Sequence, residues 1–458
     1  MRLALSALLV AFALPAVAAD PLPTALKDYV AKEDKSFSWK LKDKTEANGS
    51  TVYTLTLTSQ TWHEVEWTHD LQVFVPKGAK VQSTMVLWNQ GGTASPTGSI
   101  LGLAIADKVG APVAFLYGVP KQPLYVDPQT KKLTTKPSNP KDDKEGRLVE
   151  DALIAETFKR YLDTKDETWP LLFPMVKSVV RAMDALQAFA KEELKGDVEK
   201  FVVTGASKRG WTSWLTAASG DKRVKAISPL VIDTLNFPVQ MENQLKAFGK
   251  PSEMIADYTR AKLVPIPDTT EGRNLWQMVD PYIYKDTITI PKMLIHGTND
   301  PYWPQDATNT YWDELKGPKG ICYVPNAGHG LREADEKGKE ELLPMRAVET
   351  LSAFGKSQVF DKPMPQFGWT LDKTALTLKA GDEPKKLRLW TATADTRDFR
   401  KARWTAEELK PSDAKSGAKV AVAAPEKGLK AAFVEAAFDT EVGTPHMTTQ
   451  ILILEAKK

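Results

Sequence analysis

The sequence has few of the residues that build disulfide frameworks and metal sites. Its 458 residues include one cysteine, Cys322, and five histidines. A single cysteine excludes an intramolecular disulfide, and no cysteine–histidine cluster has the spacing of a zinc site. Cys322 lies in the apolar run Ile321–Val324, so we expect a buried strand residue and not a nucleophile. The fold must therefore be held together by its hydrophobic core.

Phosphate-binding glycine motifs and an excess of one charge are also missing. The sequence contains neither a P-loop nor a G-x-G-x-x-G motif, so we expect no nucleotide cofactor, and we predict no metal. The net charge is +3, which is not the basic excess of a nucleic-acid-binding surface. With 42% hydrophobic and 26% charged residues, the composition is that of an ordinary globular protein.

Long apolar runs are confined to the N-terminus. Arg2 precedes the apolar segment Leu3–Leu14, and an A-x-A pattern follows within Pro15–Ala19. This pattern predicts a signal peptide over residues 1–19, cleaved after Ala18 or Ala19, and hence a periplasmic or secreted protein. An uncleaved anchor is the alternative. No later stretch reaches about 18 uncharged apolar residues, so we expect no membrane span in the mature protein.

The order of periodic segments predicts the fold class. Between about residues 84 and 356, strand-like runs alternate with helical patterns, which favours an α/β fold with a mostly parallel sheet and helices on both faces. Antiparallel strands are expected before it, and a lid-like insertion at about 238–284. We predict a catalytic domain over 20–357 and a β-sandwich domain over 358–458, where helical periodicity disappears.

Several local predictions belong to this outline. The expected elements include helices at 22–34, 305–315 and 332–356, strands at 36–41, 52–57 and 71–76, and an exposed, irregular insertion at 120–143. Residues 61–70 contain His63, Glu64 and His69, which could be read as metal ligands. The alternation of residue types there better fits a strand with one aromatic face.

The stretch Phe201–Trp211, F-V-V-T-G-A-S-K-R-G-W, contains a candidate nucleophile. An apolar strand ends at Gly205, Ser207 follows, and a helical pattern begins near Gly210. This resembles the strand-to-helix turn that exposes the serine of α/β-hydrolases, although the second glycine of G-x-S-x-G comes one place late. Small residues are needed here because the backbone at such a serine is strained and neighbouring chain passes close by.

Two later loops supply an acid and a base. Asp300 follows the strand in M-L-I-H-G-T-N-D, and His329 stands between glycines after the strand in Y-V-P-N-A-G-H-G. The chain order serine, acid, histidine is that of the hydrolase fold, whose active site lies at the carboxyl ends of the strands. Asp233, after another strand, is the rival acid, and His296 is expected to be structural.

These residue types fit acyl transfer. A histidine can take the serine proton and return it to the leaving group, and a carboxylate fixes the histidine tautomer. The developing oxyanion needs N–H donors, for which we predict Lys208 and the loop residues Gln90 and Gly91.

Substrate contacts are predicted around the same serine. Lys208 and Arg209 would bind a substrate carboxylate or assist the oxyanion, or simply face solvent. Trp211, Tyr302 and Trp303 are expected to line a pocket, whereas Trp214 is equally compatible with the core. From the lid-like insertion, the residues expected at the cleft are Phe237, Trp276 and Tyr282.

These motifs together resemble one family. The segments are G-A-S-K-R-G-W-T-S-W-L-T-A-A, H-G-T-N-D-P-Y-W-P, V-P-N-A-G-H-G, E-D-A-L-I-A, W-P-L-L-F-P-M, R-L-W-T-A and D-F-R. They are similar to those of the PhoPQ-activated pathogenicity-related proteins over nearly the whole mature chain. The resemblance implies an exported α/β-hydrolase fold with a C-terminal β domain and names no substrate. The shifted elbow is also similar to the G-x-S-R-x-G of glucuronoyl esterases, with Lys208 in place of the arginine.

Three functions follow as hypotheses. The first is a serine hydrolase acting on carboxylic esters, with a small-molecule or polymer-end substrate. The second is a serine peptidase of the prolyl-oligopeptidase type, although the N-terminal propeller usual there is missing. The third is a non-catalytic binding or signalling protein on a hydrolase scaffold. The C-terminal domain could contact carbohydrate or a cell surface.

Overall fold

The computed structural model describes residues 21–47 and 49–456. The predicted signal peptide lies outside these residues. Within the described ranges, no helix combines the length and the apolar character needed to cross a bilayer.

A nine-stranded sheet forms the centre of the molecule. Its strands are β1 (Ser38–Ala47), β2 (Ser50–Trp62), β3 (Val65–Val75), β4 (Thr84–Asn89), β5 (Val113–Leu116), β9 (Lys200–Ala206), β10 (Val224–Leu230), β11 (Lys292–Gly297) and β12 (Lys319–Val324). They lie in the order β1-β2-β3-β5-β4-β9-β10-β11-β12. The strands from β5 to β12 in this order run parallel, and β1, β2 and β3 pair antiparallel at one edge. This is the predicted α/β-hydrolase fold.

Helices cover both faces of the sheet. The α-helices are α1 (Ala25–Ala31), α2 (Pro96–Val109), α3 (Glu150–Thr164), α4 (Leu172–Phe189), α5 (Lys208–Ala218), α6 (Phe237–Phe248), α7 (Ala256–Arg260), α8 (Thr270–Val279), α9 (Met345–Val359) and α10 (Pro411–Ser416). Helices α1, α4 and α5 pack on one face, and α2 packs with α9 on the other. Two apolar cores result, one on each side of the sheet, as the helical periodicity predicts.

Several predicted elements differ from those observed. Residues 61–70 are not one strand, because His63 and Glu64 form the turn between β2 and β3 with φ of 44° and 67°. The predicted helix 332–356 begins only at Met345, since Gly338 has a φ of 80° and the preceding segment is irregular. The predicted helix 305–315 consists of two short 3-10 turns, Ala307–Thr310 and Trp312–Glu314.

The insertion at 120–143 is more ordered than its composition suggests. It contributes to a small antiparallel sheet of β6 (Leu124–Val126), β7 (Leu133–Thr134) and β8 (Arg147–Leu148). Leu124 and Leu133 are buried there, so part of this polar stretch packs against the hydrophobic core. This sheet leads directly into α3.

Two further sheets follow α9. Their strands are β13 (Phe367–Asp372), β14 (Ala375–Ala380), β15 (Lys386–Ala394), β16 (Thr405–Leu409), β17 (Lys419–Ala421), β18 (Leu429–Ala437), β19 (His446–Thr448) and β20 (Leu452–Glu455). One sheet is β13-β14-β17, and the other contains β16-β15-β18 with β19 and β20 beside β18. Leu376, Leu387 and Val434 from both sheets share one core, as in a sandwich. The strands β16 and β19 and the helix α10 were not predicted.

Candidate active site

Ser207 lies in a strained turn between β9 and α5. Its backbone has φ 58° and ψ −129°, a region that a residue with a side chain rarely adopts. The turn is fixed by backbone hydrogen bonds from Ser207 N to Leu230 O (2.9 Å) and from Trp211 N to Ser207 O (3.0 Å). Such strain costs about 1–3 kcal/mol and typically marks functional sites. The local geometry is that of a nucleophile elbow.

The packing of this turn explains why the second glycine of the motif, Gly210, comes one residue later than in G-x-S-x-G. A Cβ on Gly210 would lie 3.0 Å from both Gly205 O and Leu230 O, and one on Gly205 would lie 2.8 Å from Arg209 O. The close approach therefore involves Gly210, one residue later than in G-x-S-x-G. The intervening position is free to carry the long side chain of Arg209.

Asp300 and His329 form a hydrogen-bonded pair. His329 Nδ1 lies 2.8 Å from Asp300 Oδ2, and the other carboxylate oxygen accepts the Tyr302 N–H at 2.9 Å. The Tyr302 ring packs on the imidazole with centroids 4.3 Å apart. With Nδ1 engaged by the carboxylate, Nε2 is the nitrogen that can act on a substrate.

Ser207 and His329 line the same cavity. Within the described residues, the Ser207 hydroxyl makes no hydrogen bond with the imidazole or with any other group. Catalytic hydrogen bonds are often long without substrate and tighten when it binds. The structure therefore brings the three predicted residues to one edge of the sheet, with the acid–base contact made and the base–nucleophile contact open.

The rival acid, Asp233, has other partners. Its carboxylate is buried and accepts hydrogen bonds from Thr308 Oγ1 at 2.9 and 3.0 Å and from Tyr311 Oη at 2.5 Å. The nearest imidazole is that of His296, 4.0 Å away, and not that of His329. Asp233 therefore belongs to a buried structural network beside the site.

The predicted oxyanion donors differ in their availability. The Lys208 N–H is the first amide of α5, which has no acceptor within the helix. The Gln90 N–H already donates to Leu116 O at 2.7 Å, so this residue is not free to serve. The Gly91 N–H has no acceptor among the described residues, and Gly91 lies directly against the Arg209 guanidinium. Lys208 and Gly91 remain the candidates.

Lys208 and Arg209 are both held by acidic residues in the first turn of α3. Arg209 is 8% exposed, makes a bidentate contact with Glu150 (2.7 and 2.8 Å) and donates to Val119 O. Lys208 Nζ lies 2.8 Å from Glu150 Oε2 and 3.4 Å from Asp151 Oδ2. Two positive and two negative charges thus balance locally. Arg209 is not a cavity-lining residue, contrary to its predicted role in substrate binding.

A small, largely apolar cavity of about 40 Å³ opens beside Ser207. The predicted pocket residues Trp211, Tyr302 and Trp303 line it, and so do Phe237 and Trp276 from the insertion. Tyr282 does not line it, and its hydroxyl donates to Glu314. The lining side chains are Asp151, Ser207, Lys208, Trp211, Val231, Ile232, Thr234, Phe237, Ile255, Tyr258, Val264, Trp276, Tyr302, Trp303 and His329. Trp214 is in the core.

The insertion between β10 and β11 forms the roof of this cavity. Phe237 and Trp276 stack with ring centroids 3.9 Å apart, and Trp211 Nε1 donates to Val279 O at 2.6 Å. Asp280 joins both ends of the insertion by accepting the N–H groups of Phe237 and Tyr282 at 2.8 and 2.9 Å. Burial raises the pKa of this carboxyl to about 6.

The histidines and the cysteine outside the site have structural surroundings. His69 is buried between Ser59 Oγ and Tyr117 O, each 2.9 Å away, and burial lowers its pKa to about 4. His63 stacks on Trp169. Cys322 is buried in β12, as predicted, where burial raises the pKa of its thiol to about 12. Among the residues that the structure describes, no group of histidine, cysteine and carboxylate side chains could hold a metal ion.

Comparison with known proteins identifies the family. Residues 26–400 match the family model described as PhoPQ-activated pathogenicity-related protein. The autocrine proliferation repressor protein A of Dictyostelium discoideum is 31% identical over 405 residues, covering 82% of this chain and 76% of that protein. The chain belongs to the PhoPQ-activated pathogenicity-related protein family.

Several solved structures are similar to part of this family member. Acetyl xylan esterase 1 from Thermoanaerobacterium sp. JW/SL YS485 matches with a TM-score of 0.45 and 16% identity, covering 68% of this chain and 90% of that one. An S-formylglutathione hydrolase from Agrobacterium tumefaciens gives 0.41 and 16%, covering 63% and 92%. A glucuronoyl esterase from Solibacter usitatus gives 0.42 and 12%, covering 73% and 91%.

Three site residues of this family member have roles that the sequence did not reveal. Glu150 and Asp151 lie in the segment E-D-A-L-I-A, which resembles the family but does not reveal their basic partners. Asn89 is buried at the end of β4, and its side-chain amide donates to Thr204 O, Arg209 O and Ser213 Oγ at 2.7–3.2 Å. The acidic pair itself is the one signal in the sequence, but its basic partners lie 57 to 59 residues later in the chain.

Glu150→Gln should destabilise the protein by about 2 kcal/mol, because two nearly buried cations lose their shared partner. This is below the range for fully buried pairs because the Glu150 side chain is 39% exposed. Burial alone would raise its pKa, but contacts with Arg209 and Lys208 hold the pKa well below the ordinary value of 4.5. The stabilisation is therefore complete above pH 4.5 and declines as the pH falls. Denaturant unfolding of the wild type and Glu150→Gln at pH 7 and pH 3 measures the difference in their free energies of unfolding. The same difference at both pH values would contradict the prediction.

Proposed function

We propose that this protein is a serine hydrolase that cleaves carboxylic esters through an acyl-enzyme. The observation that carries the proposal is the 2.8 Å Asp300–His329 pair, whose imidazole lines the same cavity as the strained Ser207. A strained serine and a carboxylate-oriented imidazole in one cavity are the parts that nucleophilic acyl transfer needs.

The reaction proceeds in two acyl-transfer steps. Ser207 Oγ attacks the ester carbonyl carbon while His329 Nε2 takes the hydroxyl proton, and the Asp300 carboxylate stabilises the imidazolium. The Lys208 N–H and the Gly91 N–H donate to the oxyanion of the tetrahedral intermediate. The C–O bond to the alcohol then breaks, and the alcohol leaves with the proton from His329. Water attacks the acyl-enzyme with His329 as base, which releases the acid and restores Ser207.

The cavity favours an uncharged, apolar acyl group. Its walls are mostly aromatic and aliphatic, and the charges of Lys208 and Arg209 are already balanced by Glu150 and Asp151. A substrate carboxylate would add an unpaired charge to a largely apolar space, which is costly. We therefore propose that the site recognises a neutral acyl group, and not a substrate carboxylate bound by Lys208 and Arg209.

A peptidase of the prolyl-oligopeptidase type is the second candidate, because an aromatic cavity beside the serine would also accept a proline ring. The site has both an acid–base pair and an elbow serine, which supports an enzyme over a non-catalytic scaffold. We also propose that residues 1–19 are a signal peptide that directs export of the protein. Carbohydrate or cell-surface binding by the C-terminal sheets stays a prediction.

Three chromogenic substrates test this function: p-nitrophenyl acetate, p-nitrophenyl hemisuccinate and an X-Pro p-nitroanilide. We expect turnover of the acetate and no measurable turnover of the anilide. The hemisuccinate should have a kcat/KM at least about tenfold lower, because burying its carboxylate costs more than the 1.4 kcal/mol equivalent to tenfold. Faster cleavage of the anilide would favour the peptidase, and a preference for hemisuccinate would restore carboxylate recognition. The controls are each substrate with Ser207→Ala.

A further inference from the structure

We infer that the segment Arg397–Trp404, between β15 and β16, positions the catalytic acid and base from outside the hydrolase sheet. We call this segment the brace. It belongs to the C-terminal sheets, yet it contacts the two loops that carry Asp300 and His329. The inference rests on the proposed function, because it assigns the brace to the same reaction.

The first contact is made beside the acid. The Asn299 side-chain amide donates to three brace carbonyls, those of Phe399 (3.3 Å), Arg400 (3.2 Å) and Ala402 (2.8 Å). Asn299 immediately precedes Asp300, and its own N–H donates to Ala327 O at 2.9 Å in the histidine loop. One side chain therefore fixes the acid loop on the brace.

The second contact is made in the histidine loop. Asn326 and Trp404 exchange two hydrogen bonds, Asn326 Nδ2 to Trp404 O at 2.9 Å and Trp404 N to Asn326 Oδ1 at 2.8 Å. Trp404 itself is buried in the core, which anchors this end of the brace. Because the pairing is reciprocal, the side-chain amide of Asn326 is held in one orientation.

Thr298 joins the two contacts. Its hydroxyl donates to Asn299 Oδ1 at 2.9 Å and accepts the Asn326 N–H at 2.9 Å. The acid loop, the histidine loop and the brace thus form one hydrogen-bonded unit. Each loop follows a different strand, so this unit is well placed to set the distance between Asp300 and His329.

The brace also reaches the roof of the cavity. Arg400 lies 3.2 Å from Glu253 and its guanidinium carbon is 3.9 Å from the centre of the Phe248 ring, both in the insertion. Arg397 forms an ion pair with Asp306, downstream of the acid loop. None of the three asparagine and threonine side chains lines the cavity, so Asn299, Asn326 and Thr298 are positioning residues and not catalytic ones.

The test compares two asparagines that both donate to C-terminal carbonyls. Asn299→Ala removes the brace contact beside Asp300, whereas Asn309→Ala removes a matched bond to Ile451 O (2.8 Å) away from both catalytic loops. We expect Asn299→Ala to lower kcat for p-nitrophenyl acetate by at least about tenfold with KM within about twofold, since a misplacement of about 1 Å can cost 10²-fold. Asn309→Ala should keep both constants. Thermal melting confirms that each variant is folded.

The rate of labelling by a fluorophosphonate separates this inference from the proposed function. Absence of labelling in the wild type would overturn the proposed function, and the brace with it. Labelling of the wild type with equal rates for Asn299→Ala and Asn309→Ala would overturn the brace alone. If Asn299→Ala does not fold, the near-isosteric Thr298→Val removes the link between the loops and should show the same selective loss of kcat. An unchanged kcat in folded Thr298→Val would then overturn the inference.

Discussion

Ser207→Ala should lower kcat for p-nitrophenyl acetate by about 10⁶-fold, the scale reported by serine deletion in a complete triad. Alanine cannot form the acyl-enzyme, so His329 and Asp300 have no nucleophile to activate. The substitution removes one oxygen and should leave the cavity walls unchanged. Fixed-time or extended continuous absorbance assays measure the residual rate of the Ser207→Ala variant.

Ser219→Ala is the matched control for this variant. Ser219 follows the other end of α5, where its hydroxyl donates to Thr216 O at 2.7 Å. We expect full activity with at most a small loss of stability. Comparable activity of the Ser207 variant and the control would remove Ser207 from the mechanism.

Asp300→Asn should lower kcat by about 10⁴-fold, because the amide no longer fixes the histidine tautomer and cannot stabilise the imidazolium. The position of Tyr302 should be retained, since the remaining side-chain oxygen can still accept its N–H. Wild-type and variant kcat values for the same ester, at equal active-site concentration, measure the effect.

Asp233→Asn provides the internal comparison. This carboxylate accepts from Thr308 and Tyr311, so its neutralisation should reduce stability while kcat changes by less than about tenfold. A large loss of kcat in Asp233→Asn together with an active Asp300→Asn would transfer the role of the acid to Asp233.

The residues that could be predicted from sequence are those whose role is indicated by a local sequence pattern. Ser207, Asp300 and His329 each follow an apolar strand, and the chain order of strands and loops brings their ends to one edge. The burial of Cys322 in a strand could be predicted in the same way, because it lies in the short apolar run Ile321–Val324. Local periodicity likewise fixes most of the central sheet.

The residues that could not be predicted depend on partners far away in the chain. Arg209 lies two residues after the serine, but its guanidinium binds Glu150 and does not line the cavity, and nothing near Arg209 in the sequence reveals this. Gln90 is lost as an oxyanion donor because Leu116, on the neighbouring strand, accepts its N–H. The role of Asn299 requires knowing that residues 399–402 return to the acid loop.

Mapping the fluorophosphonate adduct on the wild-type protein tests the central claim, nucleophilic catalysis by Ser207, most directly. Trypsin cleaves after Lys200 and Lys208, so the proposed nucleophile lies in the peptide Phe201–Lys208, whose single serine is Ser207. We predict one phosphonylated residue in the whole protein, at Ser207, by tandem mass spectrometry. An unmodified Phe201–Lys208 peptide, or an adduct at another residue, would contradict the proposed mechanism.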